Sequence, residues 1–140
     1  MVILIDTNII LDYLIARQPF TDNAKKVLHL CFAKKCSGYI AAHSITNIFY
    51  ILRKQFFVSE RKKMLIELCE FVEVAGIQKK QVIDALVNED FNDLEDRLQV
   101  ECARMVNADC IVTRNITDFS TSPIPAVLPE DLLKKIGSKL

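Results

Sequence analysis

Residues 1–8, MVILIDTN, place a charge directly after a buried-looking strand. The four apolar residues Val2 to Ile5 are typical of a short buried strand, and the carboxylate of Asp6 follows them at once. A carboxylate in this position either caps the helix that begins at Thr7 or belongs to a binding site. Both explanations fit the segment alone, so the choice between them depends on the rest of the chain.

Short apolar segments alternate with helical patterns along the sequence. This alternation predicts an α/β fold with a mostly parallel sheet and helices on both of its faces. Strands are predicted at residues 2–5, 39–41, 71–74, 110–113 and 126–128. Helices are predicted at residues 7–15, from a cap at Thr21 or Asp22 to Ser37-Gly38, from a cap at Ser44 to Phe56, from Ser59, and at 78–87, 94–106 and 129–136.

Length and charge narrow the class of protein. A chain of 140 residues, just over half of them hydrophobic, is expected to fold as one domain spanning residues 1–140. The formal net charge of zero argues against strong non-specific binding to nucleic acid. It does not exclude a nuclease, which needs turnover more than tight binding. The glycines match neither a dinucleotide-binding nor a P-loop pattern, so no organic cofactor is expected.

The sequence also favours a cytoplasmic location. No apolar segment reaches the roughly 18 residues of a membrane span, and no basic region precedes the first apolar residues as in a signal peptide. The five cysteines are an odd number without C-x-x-C spacing, which predicts reduced thiols in the core.

Polar residues gather at four places that a parallel sheet brings to the carboxyl ends of its strands, where ligands bind. Three carboxylates within about 4 Å of one another repel by about 4 kcal/mol per pair, so such a group must bind a proton or a cation. Oxygen ligands without Cys or His favour Mg²⁺ or Mn²⁺, which predicts metal-assisted phosphodiester hydrolysis. The residues are Asp6 and Asn8; Thr113, Arg114, Asn115 and Asp118; Asp93, Glu95 and Asp96; and Ser44, Thr46 and Asn47.

Each of these groups also has a purely structural explanation. Asp6 alone could cap a helix, and the acids at 93–96 could complement a helix N-terminus. Asn115 and Asp118 could form a turn, Asn47 could face solvent, and Asp12 could only pair with Arg17. The prediction of a site therefore rests on the combination of the four groups.

Four segments, LIDTNIILDYL, AAHSITNIFYILRK, DLEDRLQVECA and DCIVTRNITDF, resemble the PIN-domain family in this order and at this spacing. The resemblance extends from Val2 to about Phe119. It implies an α/β/α sandwich with a central, mostly parallel, twisted sheet. It also implies a ribonuclease that depends on Mg²⁺ or Mn²⁺, and many bacterial members of the family are toxins of toxin–antitoxin pairs.

The resemblance assigns roles to particular residues of this chain. Asp6, Asp96 and Asp118 match the first, third and last acidic positions of the family, which implies that they are catalytic and hold the metal. Thr7 and Asn8 match polar residues that position the first carboxylate. Thr113 matches the hydroxyl that precedes the last one.

Two positions depart from the family pattern. The middle acidic residue, usually Glu, corresponds here to Asn47, and the frequent Asp after the TR dipeptide corresponds to Asn115. Each change removes a negative charge and keeps an oxygen that could still bind a cation. Glu95 and Asp93 are the acids expected to compensate, and the chain fits a PIN subgroup with Asn at the middle position.

The sequence therefore predicts a metal-dependent endoribonuclease, with RNA as substrate, an antitoxin as protein partner, a homodimeric assembly and no membrane association. The alternative is a catalytically weak PIN-like module that binds RNA or a protein without cutting. In that module Arg114, together with Arg53 and Lys54, would contact phosphates. A phosphatase of the D-x-D type fails because residue 8 is Asn, and a receiver domain lacks its paired acids. Relief of repulsion predicts that Asp6→Asn stabilises the metal-free protein.

Overall fold

A computed structural model describes residues 1–137 of the chain, which form a five-stranded, entirely parallel sheet. The strand order is β3-β2-β1-β4-β5, so β1 is the central strand. Leu4 of β1 lies opposite Tyr39 on one side and Ile111 on the other. The strands are β1 (Val2–Ile5), β2 (Ser37–Ala41), β3 (Glu73–Ala75), β4 (Cys110–Val112) and β5 (Ala126–Val127).

Helices cover both faces of this sheet, which confirms the predicted α/β/α architecture. Within residues 1–137 they are α1 (Thr7–Leu14), α2 (Thr21–Phe32), α3 (Ala42–Ile51), α4 (Val58–Leu68), α5 (Lys79–Val87), α6 (Leu94–Met105) and α7 (Pro129–Gly137), with 3₁₀ turns at Leu52–Lys54 and Ile116–Phe119. None of these helices is long and apolar enough to cross a membrane.

The alternation of side chains along β1 divides the core into two layers. Ile3 and Ile5 point to the face covered by α1, α2, α3, α4 and α7, whereas Leu4 points to the face covered by α6. All three side chains are fully buried. Each contributes roughly 1.5–3 kcal/mol of hydrophobic stabilisation, which fixes the central strand and the residue that follows it.

The third predicted helix differs from the observed one at both ends. It begins at Ala42 because β2 ends at Ala41 and leaves no loop for a capping residue. Ser44, predicted to be the cap, lies buried in the first turn instead. The helix gives way to a 3₁₀ turn at Leu52, so Phe56 lies outside it. The predicted end of the second helix at Ser37-Gly38 is also wrong, since both residues belong to β2.

The buried face of α6 is more polar than its sequence pattern indicated. Leu94 and Met105, predicted to be core residues, are 44% and 49% exposed. Arg97 and Glu101 are buried in their place and form an ion pair of 2.7 Å. Charged side chains tolerate burial when each finds a partner, and here the partners lie one helical turn apart.

The cysteines behave as the sequence predicts, with one exception. All five are free, and burial raises the pKa of Cys31 to about 12 and that of Cys102 to about 11, which keeps these thiols protonated. Cys36 and Cys110 are also buried, whereas Cys69 is exposed.

Candidate metal centre

Asp6 lies directly beyond the end of the central strand and is the N-cap of α1. Its Oδ1 accepts a hydrogen bond of 2.7 Å from the backbone N–H of Thr7. The residue is only 6% exposed. Asp6 therefore does cap a helix, but a cap requires neither this burial nor the further donors that surround it.

Four donors surround the carboxylate of Asp6. Oδ1 accepts from Gln99 Nε2 at 2.5 Å in addition to the Thr7 amide, and Oδ2 accepts from Thr113 Oγ1 at 2.7 Å and Asn8 Nδ2 at 3.2 Å. An ionised carboxylate offers about four lone-pair sites, so these bonds use its full accepting capacity. The structure thus brings the side chains of Asn8 and Thr113 and the backbone amide of Thr7 to Asp6.

Several oxygens next to Asp6 are buried and lack a hydrogen-bond partner. They are Thr7 Oγ1, Asn8 Oδ1 and Gln99 Oε1. A buried polar atom without a partner costs about 1–3 kcal/mol. A hard divalent cation is a partner that suits oxygens of this kind, so the chemistry of the donors around Asp6 is compatible with one.

Asp96, in the first turn of α6, carries a strongly perturbed carboxyl group. Burial, followed by the negative charges of Asp93, Asp6, Asp118 and Glu95, raises the pKa of Asp96 to about 7. Acids that follow β1, that begin α6 and that lie in the turn after β4 therefore act on one carboxyl group. Such an environment favours either a proton or a cation at Asp96 near neutral pH.

The other acids at the start of α6 make different contacts. Asp93 is the N-cap, and its Oδ1 accepts from the backbone N–H of Asp96 at 3.1 Å. Glu95 Oε1 accepts from Asn47 Nδ2 at 2.9 Å, which connects α6 to α3. The side chain at the position of the missing family Glu is thus hydrogen-bonded to an acid on another helix.

The turn after β4 places Asp118 through a short series of hydrogen bonds. The Thr113 hydroxyl donates to Asp6 and accepts from the backbone N–H of Asn115 at 3.0 Å. The carbonyl of Asn115 accepts from the N–H of Asp118 at 3.1 Å, which starts the 3₁₀ turn. Thr113 therefore joins Asp6 to the segment that carries Asp118.

These acids do not form a closed cage. Within residues 1–137, no three Cys, His, Asp or Glu side chains are arranged so that they could hold a metal ion directly. Because Asp6 already accepts from four donors, an ion at Asp6 has to displace one of them. The amides of Asn8 and Gln99 are suited to this, since each has an unpaired oxygen that a rotation would present.

Arg114, predicted to contact phosphate, forms an ion pair with Asp12. Its Nε and Nη2 donate to Asp12 Oδ2 and Oδ1 at 2.7 and 3.1 Å, and its guanidinium lies 3.9 Å from the centre of the Phe20 ring. Asp12 is fully buried, and its contact with Arg17 is longer, at 3.7 Å. Arg114 is therefore the main partner of Asp12, which the sequence alone did not indicate.

Gln99 is the residue of this site that sequence reasoning missed. A signal for it was available, since Gln99 follows Asp96 by three positions and therefore lies on the same face of α6. Its burial, at 1% exposed, and its bond to Asp6 across 93 positions of sequence required the tertiary structure.

The family is established by comparison with known proteins. A PIN domain family model matches residues 2–117, so the chain belongs to the PIN-domain family. Comparison of the sequence with curated proteins gives no significant match.

Solved structures with a similar fold include proteins of toxin–antitoxin systems. VapBC2 from Rickettsia felis, bound to a DNA fragment from its promoter, superposes with a TM-score of 0.70 at 19% identity, over 91% of this chain and 98% of that one. The sarcin-ricin loop cleaving toxin VapC20 from Mycobacterium tuberculosis gives 0.67 at 17% identity, over 87% and 95%. A toxin–antitoxin complex from Klebsiella pneumoniae gives 0.66 at 21% identity, over 90% and 96%.

Proposed function

We propose that this protein is an endoribonuclease that hydrolyses RNA with a Mg²⁺ or Mn²⁺ ion held by Asp6, Asp96 and Asp118. The observation that carries the proposal is the gathering of acids around Asp96: burial first, and then the negative charges of its acidic neighbours, which include Asp6 and Asp118, raise its pKa to about 7. Asp6 follows β1 and Asp118 lies in the 3₁₀ turn after β4, at the edge where parallel sheets bind ligands, and this supports the proposal.

The chain's own residues prepare the site in three ways. Thr113 and Gln99 hold the Asp6 carboxylate in one orientation. Asp96, in its deprotonated form, would hold the ion together with Asp6 and Asp118. A divalent ion held there would supply Lewis acidity and would lower the pKa of a water that attacks phosphorus. Burial of Asp6 and Gln99 limits the water that competes for these contacts.

Glu95 supplies the negative charge that Asn47 lacks. The amide of Asn47 donates to Glu95 Oε1 at 2.9 Å, so the amide orients a carboxylate that reaches the site from α6 instead of α3. Asp93 is the less suitable substitute because its Oδ1 is occupied as the cap of α6. On this basis the chain represents a PIN subgroup with Asn at the middle position.

The biological role proposed is that of a toxin paired with an antitoxin. Fold neighbours from toxin–antitoxin complexes support this role. Exposed aromatic residues, Tyr50 at 62% and Phe57 at 82%, offer apolar surface for an antitoxin or for a second subunit of a homodimer. The five free cysteines fit action on RNA in the cytoplasm.

Incubation with RNA under three conditions tests the proposed activity. Labelled RNA is expected to be cut in Mn²⁺ and in Mg²⁺ but to stay intact in EDTA. Cleavage in EDTA would contradict a metal-dependent mechanism. Mass spectrometry of the products should show the ends of hydrolysis rather than a 2′,3′-cyclic phosphate.

A second candidate is the binding module without catalysis. Two observations favour it: Asn stands at positions 47 and 115, and no three acids within residues 1–137 form a ready cage. Calorimetry separates the candidates, since a nuclease binds Mn²⁺ in the absence of RNA and the module does not. RNA binding without Mn²⁺ binding and without cleavage would favour the module.

A further inference from the structure

A cavity lies near the same edge of the sheet as Asp6 but on the opposite face. Thr113 points toward Asp6 and α6, whereas the next residue, Arg114, points toward α1 and α2, because successive side chains of an extended segment alternate. The cavity has a volume of about 320 Å³. Besides Asp12, its lining consists of Phe20, Asn23, Arg114, Leu128, Pro129 and Glu130.

Arg114 lines the cavity with its planar guanidinium group, and the charge of that group is paired with Asp12. One face of its guanidinium lies on the Phe20 ring, and two of its N–H groups donate to the buried Asp12. The Asp12 carboxylate neutralises the guanidinium at close range. Phe20 is itself 38% exposed, so the Phe20–Arg114 pair remains accessible from the cavity.

We propose that this cavity binds one nucleobase of the RNA substrate, from a nucleotide flanking the scissile phosphate, by stacking it against the Phe20–Arg114 pair. The inference rests on the proposed function, since it extends the RNA path from Asp6 over the edge of the sheet. Proteins that recognise single-stranded RNA stack bases on aromatic rings and on guanidinium planes. The volume lies at the small end of ligand pockets, which suits one ring system.

The charges in the cavity favour a base over a phosphate. The carboxylate of Glu130 would repel an anion, and Asp12 occupies two of the five N–H donors of Arg114 and balances its charge. Glu130 can only accept hydrogen bonds when ionised, whereas the Asn23 amide can donate and accept. Together they favour a base edge that carries an amino group, so adenine, guanine and cytosine should bind better than uracil.

The test compares exposed phenylalanines at the two ends of α2. Phe20→Leu removes the stacking ring, whereas Phe32→Leu changes a 67% exposed ring at the far end of the helix, about 18 Å away. In single-turnover cleavage with protein in excess, Phe20→Leu should raise the protein concentration that gives the half-maximal rate about 10-fold and leave the maximal rate unchanged. Phe32→Leu should change neither quantity, and Phe20→Tyr, which keeps a ring, should restore binding.

RNAs with one abasic nucleotide at successive positions locate the base. Wild type should lose affinity when one particular flanking position is abasic, and Phe20→Leu should be insensitive at that position. Equal affinities of Phe20→Leu and Phe32→Leu for RNA would overturn the proposal even if the wild type cuts RNA. Fluorescence anisotropy in EDTA measures RNA binding without cleavage, so it tests the cavity separately from the proposed nuclease activity. If the wild type never cuts, weaker anisotropy binding by Phe20→Leu alone still supports the cavity, and equal binding by both variants overturns it.

Discussion

Asp96→Asn should stabilise the metal-free protein above neutral pH. The folded pKa of about 7 lies about 3 units above the ordinary value of 3.8, and at 1.36 kcal/mol per unit this sets an upper limit of about 4 kcal/mol. Because Asp96 is only partly buried, solvent screening reduces the expected gain to about 1–2 kcal/mol. In a chain of 140 residues this corresponds to an increase in Tm of about 3–8 °C.

The sign of this effect changes with pH in a defined way. A raised folded pKa means that the folded state holds the proton more tightly, so wild-type stability falls as the pH rises from about 4 to about 7. The advantage of Asp96→Asn should therefore be complete at pH 8 and smaller at pH 5. Urea denaturation of both proteins in EDTA at pH 5 and pH 8 measures the difference in their free energy of unfolding at each pH.

Asp22→Asn is the matched control, because Asp22 is also an acid in the first turn of a helix. Loss of its favourable interaction with the helix dipole should destabilise the protein by about 0.3–1 kcal/mol at pH 8. The raised pKa of Asp96 would be refuted if Asp96→Asn also lowered the free energy of unfolding, or if it raised that free energy as much at pH 5 as at pH 8.

Three further predictions concern the contacts of α6 and Asp6. Asp6→Asn should destabilise the metal-free protein by about 1–3 kcal/mol in urea denaturation, contrary to the simple repulsion argument, because an amide cannot accept from all four donors; a more stable variant would contradict this. Gln99→Leu should weaken Mn²⁺ binding about 10–100-fold by calorimetry, and unchanged affinity would remove Gln99 from the site. Arg97→Met should cost up to about 3–5 kcal/mol, because Glu101 stays buried and keeps only the longer 4.0 Å contact with Arg104. The double variant with Glu101→Leu should recover most of the loss, and no recovery would contradict the pairing.

The strands and their order of alternation with helices were predictable because buried parallel strands are short apolar runs. Val2–Ile5 and the CIV segment at Cys110–Val112 are both of this kind. The same pattern indicated where the acids of the site meet, because the carboxyl ends of parallel strands share one edge.

Pairings of polar residues distant in sequence were not predictable. Asp12 and Arg114 are 102 positions apart in the sequence. Nothing in either local sequence indicates that Asp12 is buried or that Arg114 pairs with its charge. The prediction of the buried face of α6 was wrong for a related reason. Hydrophobic periodicity assigns Arg97 and Glu101 to the surface, although their mutual pairing permits burial.

Single-turnover RNA cleavage as a function of Mn²⁺ concentration tests the central claim most directly, with Asp96→Asn compared with wild type and Asp22→Asn. We predict that wild type and Asp22→Asn need the same Mn²⁺ concentration for cleavage. Asp96→Asn should need more than about 100-fold more Mn²⁺ or should not cleave at all. The loss of a metal ligand should exceed the roughly 10–100-fold effect of losing a residue that only orients a ligand. Cleavage by Asp96→Asn at the wild-type rate and with the wild-type Mn²⁺ dependence would contradict the assignment of this site.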